Sequence, residues 1–285
     1  MKSVVHFSKI VIIQSLKDNE LHTGAKLHED IDFLNDIHER GLKIELCNIE
    51  TKFEFTELIR NLTVQANNDA DYPVLHIETH GSDDKKGLIL SSGGYVDWNE
   101  LKFHAINLNI ATKNNLLLVF AACHGANFTR MLAPSDRSPC WGLVGPVDVI
   151  AAHKLLEDFS AFYREVFQSG DGGKAINALN KTIKPEDINY YFTTSEQFFI
   201  NTYNNYIVNW CGDKEYGKRE RQMRKQLKKQ KIRPLASVSA IKRMLSSSQE
   251  EYFEKYKTKF FMYDLYPENA ARFNVNYTDV MKNKK

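Results

Sequence analysis

The chain has 285 residues, of which 42% are hydrophobic, 12% aromatic and 26% charged, and its formal net charge is +2. The near balance of acidic and basic residues excludes a uniformly basic nucleic-acid coat, and the hydrophobic content is typical of a globular chain with a large core. The longest apolar run, Leu116–Cys123, has eight residues, whereas a membrane-spanning helix needs about 20. Because the N-terminus also lacks a signal-peptide pattern, these features predict a cytoplasmic protein with no membrane partner.

The first 150 residues alternate between strand-like and helix-like segments. Short apolar runs predict strands at 9–16, 43–49, 74–79, 116–122 and 141–150. Apolar residues at helical spacing predict helices at 27–37 and 53–62. This alternation is typical of an α/β protein with a mostly parallel central sheet flanked by helices.

A hairpin and further helices are predicted around this pattern. The segment GLILSSGGYVDW, at 87–98, has two short β-like runs around Gly93 and Gly94 and predicts a β-hairpin outside the main sheet. Helical patterns follow at 151–168 and 173–181, and a helical pattern resumes at Ser195.

The composition changes abruptly in the last quarter of the chain. Residues 214–233 contain ten Lys or Arg and only two acidic residues, and aromatic residues are frequent at 252–277. The small net charge therefore combines a strongly basic segment with a mildly acidic remainder. We divide the chain into a domain at 1–212 and a basic, aromatic-rich helical extension at 213–285, which is too hydrophobic to be a free linker.

Two predicted strands end in residues with catalytic chemistry. His80 and Gly81 follow one strand, and Cys123 follows the next. The carboxyl ends of parallel strands meet at one edge of a sheet, so an imidazole and a thiol there predict nucleophilic catalysis, with Cys123 as nucleophile and His80 as its acid/base. The backbone N–H groups of Gly81 and Cys123 are the predicted oxyanion donors. A helix over residues 126–132 would begin just after Cys123, and the positive end of its dipole would favour the Cys123 thiolate.

The segments that carry these residues, HIETHG at 76–81 and AACHGA at 121–126, resemble the catalytic segments of the caspase-like cysteine peptidases of clan CD. The resemblance is greatest to the bacterial CHAT-domain type, which shares a hairpin between the motifs and a GLVGPV-like segment after the cysteine. His80 and Cys123 lie 43 residues apart, near the roughly 50 typical of caspases. The resemblance covers about residues 9–211.

This resemblance implies a caspase-like three-layer α/β sandwich and hydrolysis of peptide bonds in protein substrates through a thioester at Cys123, with no cofactor. Peptidases of the CHAT type are frequently effectors of bacterial antiviral or cell-death systems. The resemblance therefore also implies regulated activity and an activating protein partner or signal.

Specificity is the point at which the sequence departs from this family. Caspases have Gln two residues before the nucleophile and metacaspases tend to have an acid, whereas this chain has Ala121. Ala121 indicates no preference for the substrate residue P1. Asp148, in the segment GPVDV, is a candidate for lining the S1 pocket and favouring Lys or Arg.

Each site residue also has a purely structural interpretation. A cysteine that ends an apolar strand, such as Cys123, is often a small core hydrophobe. His76 lies about 13 Å from His80 along an extended strand, too far to share a metal ion, and is predicted to be a structural histidine with Glu78 as its candidate partner. His124 is predicted to point to the opposite face of the sheet.

The other three cysteines are assigned structural roles. Cys47 alternates with apolar neighbours in IELCNI, which predicts a core position, and Cys140 and Cys211 have no suitable partner in sequence. No CxxC pair or metal-ligand spacing is present, so the sequence predicts reduced thiols and neither a disulfide framework nor a metal site.

Two classes of function therefore remain open. The first is a cysteine endopeptidase. The second is a non-catalytic module whose segment 214–233 binds nucleic acid, an acidic partner or another anionic ligand. The simpler interpretation of that segment is a solvated helix that extends the one starting near Ser195. Its one aromatic residue, Tyr216, gives little support to stacking on single strands.

Overall fold

The computed structural model describes residues 6–181, 190–211, 213–229 and 249–282, together with 237, 239 and 243. The described residues form two compact units. The first contains residues up to 131 together with 138–195, and the second contains 132–137 and the described residues from 196 onward. The units thus divide at 195/196, whereas the composition changes at 212/213, which lies inside the second unit.

Two sheets are found in the first unit. Its strands are, in chain order, β1 (Lys9–Gln14), β2 (Lys43–Asn48), β3 (Pro73–Glu78), β4 (His80–Gly81), β5 (Gly87–Ile89), β6 (Tyr95–Asp97), β7 (Leu117–Ala121), β8 (Gly142–Pro146) and β9 (Tyr190–Thr194). Six of them form a central sheet in the order β2-β1-β3-β7-β8-β9, parallel except for β9. The other three form a small antiparallel sheet, β4-β5-β6.

Helices cover both faces of the central sheet. They are α1 (Thr23–Ile37), α2 (Lys52–Asp69), α3 (Trp98–Ala111), α4 (Ala152–Ser169) and α5 (Gly172–Lys181). Strand residues Ile12 and Val119 share one core cluster with residues of α1, α4 and α5, including Phe159. Phe120, which faces the other side of its strand, contacts Trp98 of α3 at 5.6 Å between ring centroids. The predicted mixed α/β sandwich with a mostly parallel sheet is confirmed.

The chain reverses its direction across the sheet between β1 and β3. It moves outward from β1 to β2, then returns past β1 to β3 and continues to β7 and β8. Because crossover connections are right-handed, this reversal places α1 and α2 on opposite faces. Where such a reversal occurs, a crevice opens at the carboxyl ends of the strands. The loops after β1, β3 and β7 meet there.

Local sequence sets the start of two helices beside this crevice. α2 follows Thr51, whose Oγ1 accepts the backbone N–H of Glu54 at 3.2 Å, while Glu54 Oε2 accepts the backbone N–H of Thr51 at 2.9 Å. This reciprocal pair is a capping box. α3 follows Asp97, whose side chain accepts two backbone N–H bonds.

The small sheet only partly matches its prediction. The hairpin predicted at 87–98 is confirmed by the antiparallel pairing of β5 with β6, but its last residue, Trp98, begins α3. Neither α3 nor β9 is among the elements predicted from the sequence.

The second unit is helical and has an aromatic core. Its helices are α6 (Ser195–Trp210), whose first residue is the last of the first unit, α7 (Asp213–Lys229) and shorter helices at Gln249–Phe260, Asn269–Arg272 and Tyr277–Lys282. The ring of Phe199 lies 5.3 Å from those of Phe253, Phe260 and Phe261. The predicted helical extension is confirmed, but α7 is a helix separate from α6, and residues 230–233 of the basic segment lie outside the described residues. None of the described helices combines the length and apolar character needed to cross a membrane.

Candidate active site

The His80–Gly81 pair and Cys123 meet at the carboxyl edge of the central sheet. β3 and β7 are neighbours, with Glu78 opposite Ala121, so both segments leave the sheet at the same level. A Cβ atom on Gly81 would lie 1.8 Å from the carbonyl oxygen of Cys123 and 3.3 Å from its Cα. The two backbones are therefore so close that only glycine fits at position 81.

The backbone N–H of Gly81 lies on the side of β4 that faces away from β5. It stands opposite Leu88 of β5, and the next residue, Ser82, donates its backbone N–H to the carbonyl oxygen of Gly87 at 3.0 Å. Antiparallel ladders alternate hydrogen-bonded and non-hydrogen-bonded pairs, so the N–H of Gly81 points away from β5. β4 is the edge strand of the small sheet, and this orientation suits the oxyanion-donor role predicted for Gly81.

Cys123 stands at a sharp turn after β7. Its side chain is half-buried, and its Sγ lies 3.9 Å from the carbonyl oxygen of Ile150. His124, the next residue, has a φ of +61°, a left-handed conformation that ends the strand. A Cβ atom on Gly125 would lie 2.5 Å from the Cβ of Phe120, so a glycine is required there as well. The predicted helix at 126–132 is a 3₁₀ helix over Gly125–Met131.

The imidazole of His80 contacts a carboxylate that the sequence does not indicate. Its Nε2 lies 2.9 Å from Oε1 of Glu20, in the loop between β1 and α1. The other oxygen of Glu20 accepts the backbone N–H of Lys17 at 2.7 Å. The Lys17 N–H, followed by the contact with His80, holds the pKa of Glu20 below its ordinary value despite the opposing effect of burial. An ionised carboxylate at Nε2 leaves Nδ1 of His80 as the nitrogen that can exchange a proton.

No local pattern could have revealed Glu20, because it is 60 positions from His80. The signal lies in the strand order. β1 and β3 are neighbours, so a residue shortly after β1 reaches the same edge of the sheet as a residue shortly after β3.

A buried polar network lies under this edge. Nε2 of His76 is 3.0 Å from Oε1 of Glu78 and its Nδ1 is 3.1 Å from the hydroxyl of Tyr163. Thr23 Oγ1 donates to Oε2 of Glu78 at 2.6 Å. The prediction that His76 is a structural histidine bonded to Glu78 is confirmed. The network ties β3 to the first residue of α1, and so to the end of the loop that holds Glu20.

His124 and Asp148 lie close to each other next to the nucleophile segment. The imidazole of His124 is buried, and its Nδ1 lies 3.3 Å from the carbonyl oxygen of Val147 and 3.7 Å from Oδ1 of Asp148. The Asp148 side chain is 69% exposed. Asp148 is therefore accessible next to the residue that follows Cys123.

The remaining cysteines differ from Cys123 in their surroundings. Cys140 is fully buried, as its structural role predicts, and burial raises the pKa of its thiol well above the ordinary value. The core position predicted for Cys47 is wrong, because β2 is an edge strand and the side chain is only half-buried. Burial followed by the charge of Glu45 still raises the pKa of the Cys47 thiol. Among the described residues, no group of three or more His, Cys, Asp or Glu side chains could hold a metal ion.

Comparison with known proteins gives a distant structural likeness. No protein-family model matches the chain, and no curated protein is significantly similar to it. Among solved structures, the chain is similar to the Drosophila initiator caspase Dronc, with a TM-score of 0.47 and 13% identity, covering 65% of this chain and 78% of that one.

Proposed function

We propose that the chain is a cysteine endopeptidase that hydrolyses peptide bonds in protein substrates, with Cys123 as nucleophile and His80 as acid/base. The observation that carries the proposal is the backbone contact between Gly81 and Cys123, where a Cβ atom would approach an oxygen to 1.8 Å. Because Gly81 directly follows His80, this contact holds the His80 segment against Cys123. The likeness of HIETHG and AACHGA to caspase-like motifs supports the same roles.

The reaction follows from the chemistry of these groups. The Cys123 thiol transfers its proton to His80, and the thiolate attacks the carbonyl carbon of the scissile bond. The N–H groups of Gly81 and Cys123 stabilise the negative oxygen of the tetrahedral intermediate. The C–N bond then breaks and His80 protonates the leaving amine. Water, deprotonated by His80, hydrolyses the thioester and restores the thiol.

Glu20 acts in this scheme as a positioning residue. Its carboxylate contacts Nε2 of His80 at 2.9 Å, so it orients the ring and stabilises the imidazolium that forms in each half-reaction. The bond from Lys17 to Glu20 fixes the carboxylate in turn.

Thiol labelling tests the proposal directly. We expect iodoacetamide at neutral pH to modify Cys123 at least tenfold faster than Cys47, since both are half-buried and only an imidazole-assisted thiol gains reactivity. His80→Gln should remove this advantage, whereas His153→Gln, at an exposed position on α4, should preserve it. Mass spectrometry of the labelled peptides measures both rates.

Mapping of new protein N-termini tests the activity itself. In extracts treated with the wild type, we expect new N-termini that are missing after treatment with Cys123→Ala. The endopeptidase proposal is wrong if both proteins produce the same N-termini and Cys123 is labelled no faster than Cys47.

For specificity, we propose that Asp148 favours Lys or Arg at P1. Its carboxylate is exposed and lies 3.7 Å from the ring of His124, the neighbour of the nucleophile. Asp148→Ala should reduce cleavage after Lys and Arg in a peptide library, while Asp32→Ala, an exposed control on α1, should leave the profile as it is. An unchanged P1 profile in Asp148→Ala would remove Asp148 from the pocket.

The resemblance to CHAT-type peptidases leads us to propose further that the chain is a regulated effector in bacterial defence or cell death. Growth arrest of bacteria that express the wild type together with its activating partner or signal, and not of bacteria that express Cys123→Ala, is the expected result. A phenotype that survives Cys123→Ala would favour the alternative, a non-catalytic interaction module.

A further inference from the structure

One side of α7 carries a continuous row of cations, which we call the basic stripe. It consists of Lys214, Lys218, Arg221, Lys225, Lys228 and Lys229, all of which are exposed. With 3.6 residues per turn, these six positions fall within an arc of about 100° and extend over about 22 Å of helix.

The opposite side of α7 is held within the second unit. Tyr216 is 4% exposed and its hydroxyl accepts a hydrogen bond from Nε2 of Gln249 at 2.6 Å. Met223 and Leu227 lie on the same side and are partly buried. The apolar residues of α7 are therefore turned away from the stripe, so a partner that approaches the stripe meets charge alone.

Most of this charge is not neutralised locally. Lys218 pairs with Glu215 at 2.6 Å, and Arg224, which lies outside the stripe, pairs with Glu220. Within the part of the chain that the structure describes, no salt bridge involves the other five stripe residues. The stripe thus presents several positive charges to solvent along a straight line.

A phosphate backbone fits this surface better than a protein or a membrane. Protein interfaces are depleted in Lys and depend on buried aromatic anchors, whereas the stripe has none. Helices that bind membranes insert apolar side chains beside their cations, and those of α7 face the other way. Each strand of a duplex has one phosphate per about 3.4 Å of axis, so about six phosphates match the length of the stripe.

We propose that the basic stripe of α7 binds the phosphate backbone of double-stranded nucleic acid without sequence selectivity. Single strands are a poorer match, because they are held largely by stacking on aromatic side chains and the stripe offers none. This binding is independent of the proposed peptidase activity.

Fluorescence anisotropy with a 30-base-pair duplex of mixed sequence tests the proposal. The full chain is used with Cys123→Ala, which prevents cutting at the basic segment. The stripe variant combines Lys214→Gln, Lys218→Gln, Arg221→Gln and Lys225→Gln. The control variant removes the same charge at the exposed positions Lys26, Lys113, Lys174 and Lys255. Gln has nearly the helix propensity of Lys and Arg, so α7 is retained, as circular dichroism can verify.

We expect log K to fall with log salt by about 0.9 per contacted phosphate. The stripe variant should therefore lose about 3.6 from the magnitude of this slope and bind the duplex at least tenfold more weakly at 100 mM salt. The control variant should stay within about twofold of the unsubstituted chain. Duplexes of different sequence should bind equally.

Several results would overturn the proposal. They are equal weakening in the two variants, no binding of the duplex at 50 mM salt, and tighter binding to phosphatidylserine vesicles or to polyglutamate than to the duplex at equal ionic strength. Tighter binding to the vesicles would assign the stripe to an anionic membrane, and tighter binding to polyglutamate would assign it to an acidic protein.

Discussion

At the scale of single residues, Gly81 shows how a missing side chain shapes the candidate site. Gly81→Ala would place a methyl group 1.8 Å from the carbonyl oxygen of Cys123, so the two segments must separate. We expect peptidase activity to fall roughly a hundredfold or more, the size of the loss when an oxyanion donor is removed, and stability to fall by about 1–3 kcal/mol.

Gly94→Ala is the matched control for this substitution. Gly94 lies next to β6 of the same small sheet, and a Cβ atom there would meet nothing closer than 3.4 Å. The Gly94→Ala variant should retain activity in the same peptidase assay and unfold at the same urea concentration as the wild type. Equal activity of Gly81→Ala and Gly94→Ala would contradict the role of the backbone contact.

Glu20 contributes through its charge and its position. We expect Glu20→Gln to lower kcat roughly tenfold with little change in KM, because Glu20 contacts the imidazole of His80 and not the substrate. A tenfold loss is a fraction of the roughly 10²–10⁴ that acid/base catalysis supplies. Glu20→Asp should lose the contact as well, because its carboxylate is one methylene shorter. Steady-state kinetics on a cleaved peptide measure both. A fall confined to KM would argue against the positioning role.

The lowered pKa of Glu20 also predicts a pH dependence of stability. A carboxyl group with a lowered pKa in the folded chain stabilises the fold fully above its ordinary value of 4.5 and loses this contribution as the pH falls through the lowered pKa. Urea unfolding of Glu20→Gln should therefore depend less on pH below 4.5 than that of the wild type. Parallel curves for the two proteins would show that the contact is absent in solution.

At the scale of elements, β3 depends on a buried carboxylate. Glu78 is 1% exposed, and it contacts both Thr23 and His76. Glu78→Ala leaves these two buried groups without their acceptor and should destabilise the fold by about 1–3 kcal/mol for each of them. Thr23→Val, which removes one hydrogen bond and leaves the carboxylate its other partner, should cost about 1–2 kcal/mol. Urea denaturation provides both values, and equal costs would contradict the network.

The predicted strands of the central sheet lie close to the observed ones because each is a short apolar run between polar turns. α3 buries Trp98, Leu101, Ala105 and Leu108 at helical spacing. Two residues obscure this stripe in the sequence, because Phe103 is apolar but exposed and Asn109 is polar but buried. The amide nitrogen of Asn109 donates to Asn114 and to the carbonyl oxygen of Ser138, partners that only the fold supplies. β9 forms because β8 has a free edge with which Tyr190–Thr194 can pair, and that edge is a property of the sheet, not of the segment.

At the scale of the whole molecule, charge distribution matters more than net charge. The formal net charge is only +2, yet residues 214–233 contain ten basic residues. At the pH where its net charge is zero, the chain should still be retained on a sulfonate cation exchanger. The stripe variant should elute at lower salt than the control variant, although both lose the same charge. Elution of the two variants at the same salt concentration would show that retention depends on the total charge and not on the clustering of cations on α7.

Local patterns predict the alternation of strands and helices, the hairpin after the first motif, and the positions of His80, Gly81 and Cys123 at strand ends. These features follow from local periodicity and from the chemistry of neighbouring residues. The position of β1 between β2 and β3, which brings Glu20 to His80, is seen only in the folded chain. Contacts between residues far apart in the chain depend on strand order and register, and local patterns do not encode them.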